Sequence, residues 1–169
     1  IRSLKSINEI QPKKKIKGMI KVIERSMPKP WDPKPKPDPT NAVEYGKYLA
    51  KIGDCYSCHS TWSTPGKVKE GMDFAGGNDF HLPDGIIVRS PNITPDLETG
   101  IGNRSKENFI GLFKSFKEPI KLPEGQTHEN TVMAWSSYAG MTEDDLGAIY
   151  DYLQTIKPVK NVVEKYAKK

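Results

Sequence analysis

Residues 55–59 read Cys-Tyr-Ser-Cys-His, and this pentapeptide combines residue types and a spacing that predict a defined chemistry. The C-x-x-C-H pattern is the attachment signature of a c-type haem. Cys55 and Cys58 supply two thiols, one helical turn apart, for thioether bonds to the two haem vinyl groups. His59 follows directly and supplies the proximal iron ligand. The chain has no other cysteine, so no disulfide framework competes for these thiols.

Two other chemistries use a C-x-x-C pair. A thioredoxin-like redox pair needs no following histidine, and it occurs near a βαβ pattern that is absent from the sequence around residues 55–59. A structural zinc site needs four ligands, and the only histidines in the chain are His59, His81 and His128. The pentapeptide therefore favours haem attachment over both alternatives.

The composition sets bounds on the class of protein. A chain of 169 residues is long enough for one domain with a hydrophobic core. Only 36% of the residues are hydrophobic, and 14 Gly and 14 Pro suit a loop-rich protein around a large apolar cofactor. No stretch approaches the roughly 18 apolar residues of a membrane helix. Because the first residue is Ile1 rather than Met, we expect that an export signal or an anchor segment was removed or lies outside this chain.

Charge divides the sequence into three parts. Residues 1–40 carry 11 Lys and Arg against 4 Asp and Glu, residues 41–156 carry 10 against 16, and residues 157–169 carry 5 against 1. This pattern predicts a basic, Pro-rich N-terminal arm at 1–40, a haem domain at 41–157 and a basic C-terminal tail at 158–169. The basic residues are not interleaved with aromatic side chains, which argues against nucleic-acid binding.

The arm contains a stiff segment. Residues 28–39, PKPWDPKPKPDP, hold six prolines in twelve positions, which favours a polyproline II spacer. Residues 13–26 precede it and have the pattern of a short basic helix. A disordered arm is the simpler interpretation, and an arm that lies on a partner protein or an anionic lipid surface is the alternative. The spacer favours a partner, because an arm that folds onto its own domain needs no such segment.

Capping patterns predict three helices in the haem domain. The first begins at Asn41, with Glu44 three residues later as in a capping box, and ends at Gly53 before the haem motif. The second covers residues 105–116 and the third residues 142–156, each with apolar residues at helical spacing.

The stretch from residue 61 to residue 104 is rich in Gly and Pro, and we predict a long irregular loop there. Within it only Ile86–Arg89 has the pattern of a short strand. A loop of this length is normally functional, and a haem edge is available for it to cover.

Four segments downstream of the haem motif resemble a known family: FAGG at 74–77, SPNITPDLETGIG at 90–102, VMAWSSY at 132–138 and MTEDDL at 141–146. Together with the helix order they resemble class I monohaem cytochromes c. They are most similar to the cytochrome c subunits of membrane-bound alcohol, aldehyde and gluconate dehydrogenases and related respiratory complexes. The resemblance covers roughly residues 41–157, and the NITPDLETGIG run is its specific part.

The resemblance implies an all-α, class I cytochrome c fold with long haem-covering loops and an extended N-terminal arm. It implies that the first and last helices cross near Gly46, where we expect contacts from Ile149 and Tyr152. This chain departs from the family in three respects. It has one haem motif where those subunits usually have three, Arg104 stands where a Trp is common, and TVMAW at 131–135 replaces Pro-Ala-Met-Pro-Tyr.

The second axial ligand is also implied by the resemblance. In this family a Met lies opposite the His, and its thioether raises the reduction potential, as an electron carrier needs. Met133 matches the family's ligand position, so the expected iron ligands are His59 and Met133. Met141, beside a helix cap, is the alternative. His81 or His128 is less favoured, because a lone loop histidine is usually solvated.

The remaining candidates are side chains expected at the haem propionates or the haem edge: Asn92, Thr94, Arg89, Arg104, Trp135 and Tyr138. Asn92 and Thr94 would either bind propionates or orient the ligand loop, with ordinary turn chemistry as the alternative. An arginine would pair with a propionate carboxylate. The two aromatic residues would pack against the haem edge or hydrogen-bond a propionate.

The sequence therefore predicts electron transfer through one covalently bound haem c rather than catalysis. Iron with both axial positions filled has no open position for a substrate. We expect a periplasmic or otherwise extracytoplasmic protein that is a subunit or tethered domain of a membrane-associated respiratory or dehydrogenase complex. Its redox partners would be subunits contacted by the arm. The alternatives are a freely diffusing periplasmic shuttle and a haem enzyme or sensor with an open sixth position.

Overall fold

The computed structural model describes residues 35–82, 85–118 and 132–168. Residues 1–34, which form most of the predicted arm, and His128 lie outside the described residues. The described helices are α1 (Ala42–Ile52), α2 (Cys55–His59), α3 (Lys106–Lys114), α4 (Trp135–Ala139) and α5 (Glu143–Thr155). All of them belong to one compact unit that begins at Lys36. No helix among the described residues has the length and apolar content needed to cross a membrane.

The three predicted helices begin where their capping residues place them. The side chain of Asn41 accepts a hydrogen bond from the amide of Glu44 at 3.3 Å. Ser105 caps α3 and Thr142 caps α5 in the same way, each accepting from the amide three residues later. These caps satisfy amides that have no partner within the helix. The second helix ends at Lys114, two residues earlier than predicted, and is followed by a turn.

Helices α1 and α5 cross at Gly46, as the resemblance implied. A Cβ built on Gly46 would overlap the carbonyl group of Ala148 and lie 3.1 Å from the amide nitrogen of Ile149. The backbone of Ala148 is thus the closest contact, and the expected contact with Ile149 is made through its amide nitrogen. The expected contact with Tyr152 stays a prediction. Since the obstructing atoms are backbone atoms, no rotamer change can relieve the overlap.

We expect Gly46→Ala to lower the free energy of unfolding by at least about 2 kcal/mol, because overpacking a helix crossing forces the two backbones apart. Gly111→Ala in α3 is the matched control, since a Cβ there has no neighbour within 4 Å. That change should be neutral or stabilising by up to about 1 kcal/mol, the helix-propensity gain of Ala over Gly. Guanidinium unfolding of the holoproteins measures both, and equal effects would contradict the crossing.

The expectation of an all-α fold is wrong, because the described residues also form two small antiparallel sheets. The strands are β1 (Trp62–Thr64), β2 (Lys67–Val68), β3 (Asp79–His81), β4 (Ile86–Arg89) and β5 (Tyr166–Lys168). The first sheet is the β1–β2 hairpin, and the second has the order β3–β4–β5. The predicted strand Ile86–Arg89 is confirmed. The others have only two or three residues, too few for alternation to be recognised.

The hydrophobic core lies among the helices and is built mainly from α3 and α5. Leu146 and Leu153 of α5 are almost completely buried, and Phe109 and Phe113 of α3 are buried in the same cluster. The rings of Phe109 and Phe113 lie 5.0 Å apart. Cys55 at the start of the haem motif packs against this cluster, so the core that joins the helices also forms one wall of the site.

Candidate functional site

The haem motif is presented by the short helix α2, which follows α1 after a tight turn. Gly53 ends α1 by donating its amide to the carbonyl of Leu49 at 2.8 Å. Asp54 then adopts a left-handed conformation with φ of 53°, which redirects the chain into α2. The Tyr138 hydroxyl donates to the Gly53 carbonyl and so ties α4 to this turn. Within α2, Cys55 and Cys58 are three residues apart and lie on one face of the helix.

The two thiols differ in their surroundings. Cys55 is half-buried, whereas Cys58 is exposed, and they do not form a disulfide. Burial raises the pKa of the Cys55 thiol to about 11, with smaller contributions from the charges of Asp54 and Cys58. Burial, followed by the charge of Asp54, also raises the pKa of the Cys58 thiol. Before attachment, both side chains are therefore protonated thiols at neutral pH.

The imidazole of His59 is buried and held in one tautomer. Its Nδ1 lies 2.9 Å from the carbonyl oxygen of Pro91. A carbonyl oxygen can only accept, so Nδ1 carries the proton and Nε2 carries the lone pair. Burial lowers the pKa of His59, and the hydrogen bond to Pro91 opposes this in part. Neutral imidazole with a free Nε2 is the form that binds a metal, and no described residue hydrogen-bonds that nitrogen.

The Pro91 carbonyl is positioned by a second loop. The amide of Gly76 donates to the His59 carbonyl at 2.7 Å, and a Cβ on Gly76 would lie 2.5 Å from the carbonyl carbon of Pro91. Gly76 has a φ of 73°, which favours glycine in any case. This close approach places residues 74–77 against both His59 and Pro91. Sequence reasoning missed Pro91, although it lies in the matched SPNITP segment.

Asn92 and Thr94 are buried, and their side chains are engaged inside the protein. Asn92 Nδ2 donates to the Val159 carbonyl at 2.7 Å and to Thr99 Oγ1 at 3.0 Å. Asn92 Oδ1 accepts from the amide and the hydroxyl of Thr94 at 2.9 and 2.8 Å. These bonds hold the loop that carries Pro91, to which both residues belong. A contact to a propionate stays a prediction.

The other polar candidates are Arg89, Arg104 and His81. Arg89 on β4 donates to Asp79 at 2.7 Å and lies 3.7 Å from Glu164, so its guanidinium is engaged within the three-stranded sheet. Arg104 is exposed at the approach to α3. His81 is exposed on β3, paired in register with Ile87. Among the described residues, no hydrogen bond or ion pair joins these side chains to His59.

The apolar candidates pack against the same core cluster as Cys55. Partly buried side chains packed against the same core cluster are Leu49, Cys55, Ile93, Ile110, Met133, Trp135, Tyr138, Met141, Tyr150, Tyr152 and Ile156. Trp135 stacks on Phe116 with ring centroids 4.4 Å apart, and its amide donates to the Met133 carbonyl at 2.9 Å. Both candidate methionines therefore pack against the core cluster that Cys55 also contacts. Sequence reasoning did not place Tyr152 at this site, and its helical spacing with Ile149 was the available signal.

These observations fit a covalently attached haem. The site has two unpaired thiols on one helical face, a buried neutral imidazole with an available Nε2, and aromatic and aliphatic side chains beside the first thiol. The hydrogen bond from Nδ1 to the Pro91 carbonyl is the arrangement that fixes the ring of a metal-binding histidine. Cys55 and Cys58 would hold the haem, and His59 would bind its iron.

Comparison with known proteins agrees with this site. Residues 43–157 match the cytochrome c family. The gluconate 2-dehydrogenase cytochrome c subunit of Pantoea cypripedii is 39% identical over 118 residues, 69% of this chain and 24% of that protein. The alcohol dehydrogenase (quinone) cytochrome c subunit of Gluconobacter oxydans is 32% identical over 69% of this chain and 22% of its own length. The fructose dehydrogenase cytochrome subunit of Gluconobacter japonicus is 32% identical over 77% and 24%.

The chain thus spans about a quarter of the length of these three relatives. The relatives are cytochrome subunits of dehydrogenases, which supports an electron carrier rather than a catalytic subunit. The family match covers the haem motif and both candidate methionines of the described site. The chain belongs to the cytochrome c family, and its cofactor is a covalently bound haem c attached at the motif formed by Cys55, Cys58 and His59.

Proposed function

We propose that this chain transfers single electrons through its haem c, with His59 and Met133 as the two axial ligands, as part of a dehydrogenase complex. Bound haem c supplies the one-electron chemistry. The protein's own residues hold the imidazole as a neutral donor, supply a thioether and keep the surroundings apolar. A thioether ligand and low solvent access both raise the reduction potential, which suits a protein that accepts electrons from a dehydrogenase.

The observation that carries this proposal is the fixed imidazole. His59 is 7% exposed, and its Nδ1 proton is committed to Pro91, so Nε2 is the nitrogen that can bind iron. Met133 supports the sixth ligand because it packs against the same cluster as Cys55. The turn that carries Met133 is held by the Trp135 amide, and the Trp135 ring is stacked on Phe116. Ligands that such contacts hold in place need to move less when the charge of the iron changes.

Carbon monoxide tests the proposal against a haem enzyme or sensor with an open sixth position. With Met133 bound, the reduced wild-type protein at neutral pH should not bind carbon monoxide, and the oxidised protein should show the weak near-infrared sulfur–iron band. Absorption spectra before and after addition of the gas measure both. Rapid formation of a carbonyl complex at wild-type Met133 would favour the alternative function.

The partners of this carrier follow from its relatives. Because they are named as cytochrome subunits of gluconate, alcohol and fructose dehydrogenases, we infer dehydrogenase subunits as redox partners and a location on the periplasmic side of the membrane. The arm at residues 1–40 is the proposed partner contact, on the strength of its positive charge and proline spacer. Retention of the full-length protein in its complex at high salt would argue against a charge-based contact.

A further inference from the structure

The segment after α5 runs back across the loop that carries Pro91. Residues 159–161, which we name the C-terminal clamp, make backbone and side-chain hydrogen bonds to that loop. The Val159 carbonyl accepts from Asn92 Nδ2 at 2.7 Å, and the Val159 amide donates to Thr94 Oγ1 at 3.1 Å. Both partners are buried, with Asn92 4% and Thr94 0% exposed. Hydrogen bonds to buried polar groups are costly to leave unmade, so the clamp is firmly held.

Asn161 completes the clamp with two further bonds. Its amide donates to Thr99 Oγ1 at 3.0 Å, and its Nδ2 donates to the Ala75 carbonyl at 2.8 Å. Ala75 is completely buried and directly precedes Gly76, the residue that packs against Pro91 and bonds the His59 carbonyl. The clamp therefore holds two loops at once: residues 92–99 on one side of Pro91 and residues 74–77 on the other.

We propose that the C-terminal clamp is a positioning device for the proximal ligand. It keeps the Pro91 carbonyl against His59 Nδ1 and thereby sets how strongly the imidazole donates electrons to the iron. The inference rests on the proposed function only in taking His59 as the iron ligand. A hydrogen bond from the second ring nitrogen raises the basicity of a metal-binding histidine. The acceptor of that bond therefore influences the reduction potential of the metal.

The proposal predicts the direction in which the reduction potential changes when the clamp is loosened. A looser clamp lets the Pro91 carbonyl move away from Nδ1, which weakens the hydrogen bond and makes the imidazole a poorer donor. Weaker donation removes more stabilisation from oxidised iron than from reduced iron. The reduction potential of the haem therefore rises. A role confined to stability would lower the melting temperature and leave the potential where it was.

Asn161→Ala is the test, because it removes the bond to Ala75 and leaves the backbone bond to Thr99. Val162→Ala is the matched control, since Val162 is the next residue and is 81% exposed. In the reduced holoprotein, NMR exchange of the His59 Nδ1 proton should be about fivefold faster in Asn161→Ala, the effect of one net hydrogen bond. The potential should rise, and the near-infrared band should persist. Val162→Ala should change none of these.

A second pair of variants covers the case in which Asn161→Ala folds poorly. Thr99→Val removes the hydroxyl that joins the Asn161 amide to Asn92, whereas Thr99→Ser keeps it. The valine variant should behave like Asn161→Ala and the serine variant like wild type. A lower melting temperature with unchanged potential and unchanged proton exchange would overturn the clamp proposal.

Different results would contradict the proposed function and the clamp proposal. A wild-type protein without the sulfur–iron band contradicts ligation by Met133, while exchange of the His59 Nδ1 proton still tests the clamp. Unchanged exchange in both Asn161→Ala and Thr99→Val, with a normal band, contradicts the clamp and leaves the ligand assignment intact.

Discussion

Replacing both attachment cysteines, Cys55→Ala with Cys58→Ala, should remove the covalent haem and most of the holoprotein. The thioethers are the covalent link between cofactor and chain, and His59 alone would have to retain the haem without them. Cys55 also packs against the core cluster, so the loss of haem exposes apolar side chains that the cofactor otherwise covers. Acid–acetone extraction measures the first effect, since wild-type colour should stay on the polypeptide.

The control for this change lies between the two cysteines. Ser57 Oγ donates to Asp54 at 2.6 Å on the exposed side of the motif, so Ser57→Ala alters α2 without touching a thiol. It should keep a full complement of covalent haem. Haem that extracts freely from the wild-type protein would disprove attachment at Cys55 and Cys58, and an equal loss in Ser57→Ala would point to folding of α2 instead.

The helices could be predicted because their signals are local. Asn41, Ser105 and Thr142 each accept a bond from the amide three residues later, and side-chain caps of this kind are visible in the sequence. The sheets could not be predicted in the same way. Strand β4 pairs with Tyr166–Lys168, far along the chain, and such a pairing leaves no local pattern in two or three residues.

The residues of the site also differ in whether a local sequence signal reveals them. Cys55, Cys58 and His59 are adjacent in the sequence, and their chemistry follows from their spacing. The group that orients His59 is the backbone carbonyl of Pro91, which lies 32 residues further along the chain. Because every residue has a backbone carbonyl, the residue type does not reveal which one accepts this hydrogen bond. Arg89 was a candidate on the chemistry of its side chain alone. Its ion pair with Asp79 arises from strand pairing, which the sequence did not reveal, and its contact with a propionate stays a prediction.

Met133 stays the predicted sixth ligand because the family resemblance implies it, and its packing is compatible with that role. It is partly buried against the core cluster that Cys55 also contacts, and α4 begins two residues later at Trp135. Met141 packs against the same cluster, so packing alone does not separate the two. The backbone of Met141 is held by its own bonds: its carbonyl accepts from Lys114, and its amide donates to the Tyr138 carbonyl at 3.0 Å. Thr142 caps α5, so Met141 adjoins a helix cap, and we expect such a residue to serve in packing.

Met133→Ala should therefore abolish the near-infrared sulfur–iron band, lower the reduction potential and open the sixth iron position to carbon monoxide. Loss of the thioether removes the ligand that favours reduced iron, so the potential falls rather than rises. This fall in reduction potential is opposite in direction to the rise expected for a weakened His59 hydrogen bond. Potentiometry therefore distinguishes loss of the sixth ligand from a change at His59.

Met141→Ala is the matched control, because it removes the same type of side chain from the same cluster. It should keep the band and exclude the gas, with some loss of stability from the vacated space. The reverse result, with the band lost only in Met141→Ala, would transfer the ligand assignment to Met141.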